Sequence, residues 1–156
     1  MTNNDVLRSI RYMLDLSDRH VADFIHLADP AFKVEPAQAH DFLRKDEDPL
    51  FAPCPDAALL RLLDGLIVHL RGRDDAKPPP PPEPQVSNNL VLKKLRVAFQ
   101  LKDMDMHAIF DAAGFPLSKP ELSALFRQPG HKNYRACGDQ ILRNFLKGLT
   151  ARVRGG

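Results

Sequence analysis

The strongest constraint on this chain is that it repeats itself. Asn3-Asn4-Asp5-Val6-Leu7 returns as Asn88-Asn89-Leu90-Val91-Leu92, and Arg11, Leu16 and Asp18 return as Arg96, Leu101 and Asp103. A two-residue deletion near Pro30 shifts the register once. After it, Phe42-Leu43-Arg44 matches Leu125-Phe126-Arg127, Cys54-Pro55-Asp56 matches Cys137-Gly138-Asp139, and Asp64-Gly65-Leu66 matches Lys147-Gly148-Leu149. Self-similarity of this kind marks a duplicated folding unit. The expected organisation is a first module over residues 1–76, a linker over 77–86 and a second module over 87–156.

The linker contains Lys77-Pro78-Pro79-Pro80-Pro81-Pro82-Glu83-Pro84-Gln85. Consecutive prolines fix φ and remove backbone donors, so this stretch is expected to form a polyproline II spacer. At ~3.1 Å per residue its seven central residues would span roughly 20 Å.

Hydrophobic periodicity predicts four helices per module. Val6, Leu7, Ile10, Met13 and Leu14 recur at helical spacing in the first, as do Val91, Leu92, Leu95, Ala98 and Phe99 in its twin. A second helix is expected to start at Asp18 or Asp103, each suited to N-capping. It would bury Val21, Phe24 and Ile25, or Met106, Ile109 and Phe110. Ser118-Lys119-Pro120-Glu121 has the form of a capping box, with Leu117 and Leu122 as its hydrophobic staple, whereas Glu35-Pro36 gives the first copy a weaker start. The fourth helix carries the Leu59, Leu62, Leu63, Leu66, Ile67 and Leu70 stripe and stops at Gly72. Strand signals are missing, so the fold class is all-α. Gly65 and Gly148 sit inside this fourth helix, off its apolar stripe, where Gly costs about 1 kcal/mol relative to Ala. They predict a close helix crossing, assigned to packing between the two modules in one pseudo-two-fold body.

Few residues suggest chemistry. Arg11 and Arg96 border the apolar face of the first helix, and Asp56 and Asp139 open the fourth, which predicts a structural Arg–Asp pair in each copy. Cys54 and Cys137 precede the fourth helix and read as small buried hydrophobes, far apart in a chain with no sign of a disulfide framework. His20, His26, His40, His69, His107 and His131 have no zinc-type spacing, and Asp46-Glu47-Asp48 lacks the alternating ligands of a calcium loop. No phosphate-cradling Gly loop or Gly-flanked nucleophilic Ser occurs. No catalytic residue, metal or cofactor is expected. The N-terminus lacks the pattern of a signal peptide and no apolar run spans a bilayer, so the expectation is a cytoplasmic protein away from membranes.

The charge distribution is the sharper clue. Residues 1–76 hold 9 Lys/Arg and 14 Asp/Glu, a net −5, whereas residues 87–156 hold 12 and 5, a net +7. Such asymmetry suggests an anionic partner for the basic half. Its candidate anion-binding residues are Lys93 and Lys94 on the first helix, Arg127, His131, Lys132 and Arg135 in the loop before the fourth, and Arg143 and Lys147 on the fourth. Mutual attraction of an acidic and a basic module explains the same numbers without an outside ligand.

The segments Asn88-Asn89-Leu90-Val91-Leu92-Lys93-Lys94-Leu95-Arg96 and His131-Lys132-Asn133-Tyr134-Arg135-Ala136-Cys137-Gly138-Asp139-Gln140 resemble the YehS-like family of bacterial proteins, a domain-of-unknown-function family whose members carry the module twice. The resemblance implies a small cytoplasmic bacterial protein and brings no activity or site residues. The leading expectation is a non-enzymatic adaptor for another protein. The alternatives are a nucleic-acid binder acting through the second module and an enzyme with a groove at Arg96, Cys137 and Asp139. The sequence specifies neither the protein partner nor the oligomeric state.

Overall fold

A computed structural model of the protein describes residues 1–72 and 85–155. The prolines of the expected polyproline spacer, residues 78–84, lie outside these residues. The described chain is all-α, with eight helices and no strand, and it divides into two compact units, Met1–Val86 and Ser87–Gly156.

The first unit contains α1 (Asn3–Leu14), α2 (Asp18–Ala28), α3 (Pro36–Phe42) and α4 (Asp56–Arg71). The second contains α5 (Asn88–Ala98), α6 (Asp103–Ala112), α7 (Lys119–Leu125) and α8 (Asp139–Gly155). Four of the helices, α1, α2, α5 and α7, start at a Ser or Thr whose hydroxyl accepts a backbone N–H of the first turn. Thr2 caps α1, its hydroxyl accepting from the Asp5 N–H while the Asp5 carboxylate accepts from the Thr2 N–H. Ser118 and Glu121 form the expected capping box on α7, with Leu117 and Leu122 buried beside it. The expected caps of α2 and α6 lie one residue too far along. Ser17 and Lys102 hold the cap positions, and Asp18 and Asp103 are the first helical residues. Both α1 and α5 give way to a residue at positive φ, Asp15 (55°) and Gln100 (54°), which turns the chain into the next helix.

The fourth helix is the centre of each unit. In α4, Ala58, Leu59, Leu60, Leu62, Leu63 and Leu66 are all at most 2% exposed, so its first half is enclosed on several faces. Burying one such leucine contributes about 1.5–3 kcal/mol. The twin helix buries Ile141, Leu142, Phe145, Leu146 and Leu149, and the Phe145 ring meets that of Phe110 at 5.8 Å.

The mid-helix glycines have a clear role, which differs from the expected one. A Cβ on Gly65 would fall inside the van der Waals envelope of the Phe24 carbonyl on α2, and a Cβ on Gly148 would strike the Ile109 carbonyl on α6. The close crossings are therefore α2 on α4 and α6 on α8, inside each module. The prediction of a tight crossing stands; its assignment to packing between modules is corrected. The reason is that the second helix presents bare backbone to the fourth, and only Gly leaves room for it.

Candidate functional site

Each module is closed by its two adjacent asparagines. Asn4 is 3% exposed and fully satisfied: Nδ2 donates to the Phe42 carbonyl (2.8 Å) and the Ala52 carbonyl (2.9 Å), and Oδ1 accepts from the Cys54 N–H (3.0 Å). Asn89 repeats this with the Leu125 carbonyl (3.0 Å), the Arg135 carbonyl (2.9 Å) and the Cys137 N–H (2.8 Å). Asn3 donates to the Cys54 carbonyl (3.0 Å) and to Asp56 Oδ1 (2.6 Å), and Asn88 does so to Cys137 (2.9 Å) and Asp139 (2.8 Å). One amide thus ties the end of the third helix to the following loop, and the other anchors the start of the fourth helix. A buried amide with every donor and acceptor used is specific because any other side chain would orphan backbone groups.

This latch accounts for the repeated polar residues and corrects the expected Arg–Asp pairs. Asp56 is held by Asn3 and by the Val86 N–H (3.0 Å), which together keep its carboxyl below the usual range, the Val86 bond foremost. Arg96 instead donates to the Leu101 carbonyl (2.9 Å) and to Asp103 (2.6 Å), with its guanidinium 4.7 Å over the Phe126 ring. Arg11 is exposed. The helix that carries each Arg lies within reach of the second helix's first turn, and the asparagines have already taken the aspartate.

The same geometry dismantles the groove expected at Arg96, Cys137 and Asp139. Cys54 and Cys137 are buried, and burial pushes their thiols up to about 12 and about 11. A thiol held neutral at physiological pH is a poor nucleophile. Arg96 and Asp139 are each committed to other partners.

The two modules differ at the corner where the first helix meets the loop after the third. In the first module Arg8 Nη1 donates to the Arg44 carbonyl (2.8 Å), so residue 8 lies against residue 44. Both guanidiniums are neutralised within the module. Arg8 pairs with Asp5 (2.7 Å) and Asp46 (3.3 Å), and Arg44 pairs with Asp41 (2.9 Å) and Asp48 (3.1 Å).

In the second module the cations remain, as Lys93 and Arg127, but the carboxylates do not. Leu90, Pro129, Ala124 and His131 replace Asp5, Asp46, Asp41 and Asp48. The loops are otherwise superimposable in their bonding: the Asp48 N–H binds the Lys45 carbonyl (3.0 Å) and the His131 N–H binds the Gln128 carbonyl (2.9 Å). Arg127 is exposed and makes no ion pair among the described residues. It borders an open depression of about 550 Å³ lined by Lys119, Pro120, Ser123, Ala124 and Asn133. Exposed His131 and Lys132 stand on the same loop, the His131 ring accepting from the Asn133 N–H at 3.0 Å.

The other candidate cations are less available. Arg135 pairs with Glu121 at 3.4 Å, and Lys94 is half-buried and engaged. Arg143 and Lys147 are exposed one turn apart on α8, with no hydrogen bond to the loop among the described residues. Lys119 and Asn133 were absent from the candidate set, although comparing the two copies position by position would have drawn attention to this corner. Among the described residues no three His, Cys, Asp or Glu side chains converge as metal ligands, and no helix is long and apolar enough to cross a membrane.

These features define a class: a tandem of four-helix modules, each closed by an Asn–Asn latch. The chain belongs to the family described as "Protein of unknown function (DUF1456)", whose profile matches residues 3–72 and again 88–155. It is 45% identical over 152 residues to "Uncharacterized protein YehS" of Escherichia coli (strain K12), an alignment covering 97% of this chain and 96% of the relative. No solved structure matches it.

Proposed function

We propose that this protein is a non-enzymatic binding protein whose second module engages nucleic acid at the corner formed by Lys93, Arg127, His131 and Lys132. The observation that carries this reading is the replacement of four carboxylates. Arg8 and Arg44 are neutralised where they stand, whereas Lys93 and Arg127 hold the equivalent positions of the repeat with no ion pair among the described residues. Uncompensated cations on a rigid corner attract phosphate and release its condensed counterions. Lys119, Asn133 and the depression beside Arg127 give a phosphate a place to sit. The net charge of the second module, +7, acts in the same direction over longer range.

The test restores the first module's chemistry in the second. Ala124→Asp with His131→Asp returns two of the missing carboxylates at positions where the first module carries them. In fluorescence anisotropy with labelled DNA and RNA, between about 50 and 200 mM salt, the parent protein is expected to bind with steep salt dependence. The double variant is expected to bind about tenfold or more weakly with an unchanged helical spectrum. Absence of binding at low salt would overturn the proposal in favour of a protein-interaction adaptor.

A further inference from the structure

We infer that the second module binds nucleic acid through the phosphate backbone and stacks no base on an aromatic ring. This deepens the preceding reading and rests on it. Base recognition by small modules needs either an exposed aromatic platform or side chains that reach base edges in a groove. The second module has six aromatic residues, and none of those side chains stands exposed.

Their positions explain why. Tyr134 lies in the basic loop, where a stacking ring would be most useful, but its hydroxyl donates to Asn89 Oδ1 (3.2 Å) and the residue is half-buried. It occupies the position of Phe51 in the first module and serves the latch. Phe126, adjacent to Arg127, is covered by the Arg96 guanidinium at 4.7 Å. Phe110 and Phe145 face each other in the core. Among the described residues of this module the one large hydrophobic side chain that is well exposed is Met104, at 78%, on α6.

What remains at the corner is the cations Lys93, Lys119, Arg127 and Lys132, the His131 imidazole and the Asn133 amide. The depression wall formed by Pro120, Ser123 and Ala124 offers small side chains and no ring. Such a surface fits an anionic polymer of regular charge spacing. It holds no exposed aromatic ring on which a base could stack.

The experiment measures anisotropy of the full chain with three labelled ligands of equal length, about 20 nucleotides each: a DNA duplex, a mixed-sequence single strand and a fully abasic strand. The expected result is that the abasic strand binds within about threefold of the base-bearing strand, and that inorganic polyphosphate displaces all three. Arg127→Glu with Lys132→Glu is expected to abolish binding of all three together. Stacking one base contributes about fivefold or more, so an abasic strand bound tenfold more weakly than its base-bearing counterpart would overturn the inference and leave nucleic-acid binding intact. Binding of a base-bearing strand that survives the double substitution would also overturn it, by placing the contacts elsewhere. Failure of all three ligands to bind would remove the underlying reading and this inference with it.

Discussion

The corner around Arg8 and Arg44 and the corner around Lys93 and Arg127 hold equivalent positions of the repeat, share the hydrogen bonds of the loop after the third helix and differ in electrostatics. In the first module both Arg8 and Arg44 have a carboxylate within 3.3 Å. In the second the corresponding positions carry Leu90, Ala124, Pro129 and His131. The backbone bonds of the latch beneath both corners are the same, since Asn4 and Asn89 each hold two carbonyls and one N–H, and only Asn89 adds a bond from a side chain, Tyr134. A duplicated fold can therefore vary its surface charge freely while its scaffold stays fixed. The difference teaches where to look for function: at positions where one copy has lost what the other needs for self-neutralisation.

The largest effect should come from what the modules share. Gly65→Ala is expected to destabilise the first module by about 3 kcal/mol or more, since the added methyl meets backbone that no rotamer can move aside. Gly148→Ala should cost somewhat less, because part of its clash is with the Ile109 side chain, which can yield. Urea unfolding curves would measure both. Equal and small effects would mean that the second helix can slide on the fourth.

Next in size is the latch. Asn4→Ala leaves two carbonyls and one N–H without partners in a buried site, a loss of about 2–3 kcal/mol. Asn89 is only half-buried, so water can replace part of what Asn89→Ala removes, and about 1–2 kcal/mol is expected. If Asn89→Ala proves the more damaging, its additional bond from Tyr134 matters more than its exposure.

The thiols give a finer contrast. Burial raises both, but Arg135 beside Cys137 partly offsets the rise, whereas Ala52 occupies the matching place near Cys54. Alkylation by iodoacetamide should be slow at both in the folded protein, and faster at Cys137 than at Cys54. Arg135→Ala should narrow that gap. The neutral thiol is the form the fold favours, so its stabilisation is complete below about pH 8.5, the thiol's unfolded value. It should be lost as pH rises through about 11 for Cys137 and about 12 for Cys54. Mass spectrometry of timed alkylation and alkaline unfolding curves would check both statements.

The smallest effect concerns the corner cations themselves. Arg44→Ala removes two ion pairs and should lower the melting temperature slightly, whereas Arg127→Ala should leave it unchanged and weaken only ligand binding. A drop in stability for Arg127→Ala would show that this side chain serves the fold and would count against its proposed role.

Much of this molecule was legible in its sequence. The duplication, the eight helices, the Leu59–Leu66 stripe and the Ser118–Glu121 cap follow from periodicity and local capping chemistry, which act within a few residues along the chain. The buried character of both cysteines was equally readable. The corner was partly visible: Lys93, Arg127, His131 and Lys132 stand out as charges, but Lys119 did not, because its nearness to Arg127 depends on how the third helix meets the loop after it.

What only the tertiary structure decided is which residues answer one another across distance. The sequence placed Arg11 and Arg96 with Asp56 and Asp139, but the fold gives Asp56 and Asp139 to Asn3 and Asn88, and Arg96 to Asp103. It required small residues at Gly65 and Gly148, but the fold supplied the partner, the second helix of the same module. The physical reason is the same in each case. Helix periodicity is written in neighbouring residues, whereas a hydrogen bond between residues 4 and 52 depends on the angle at which whole helices pack, and no single stretch of sequence encodes that angle.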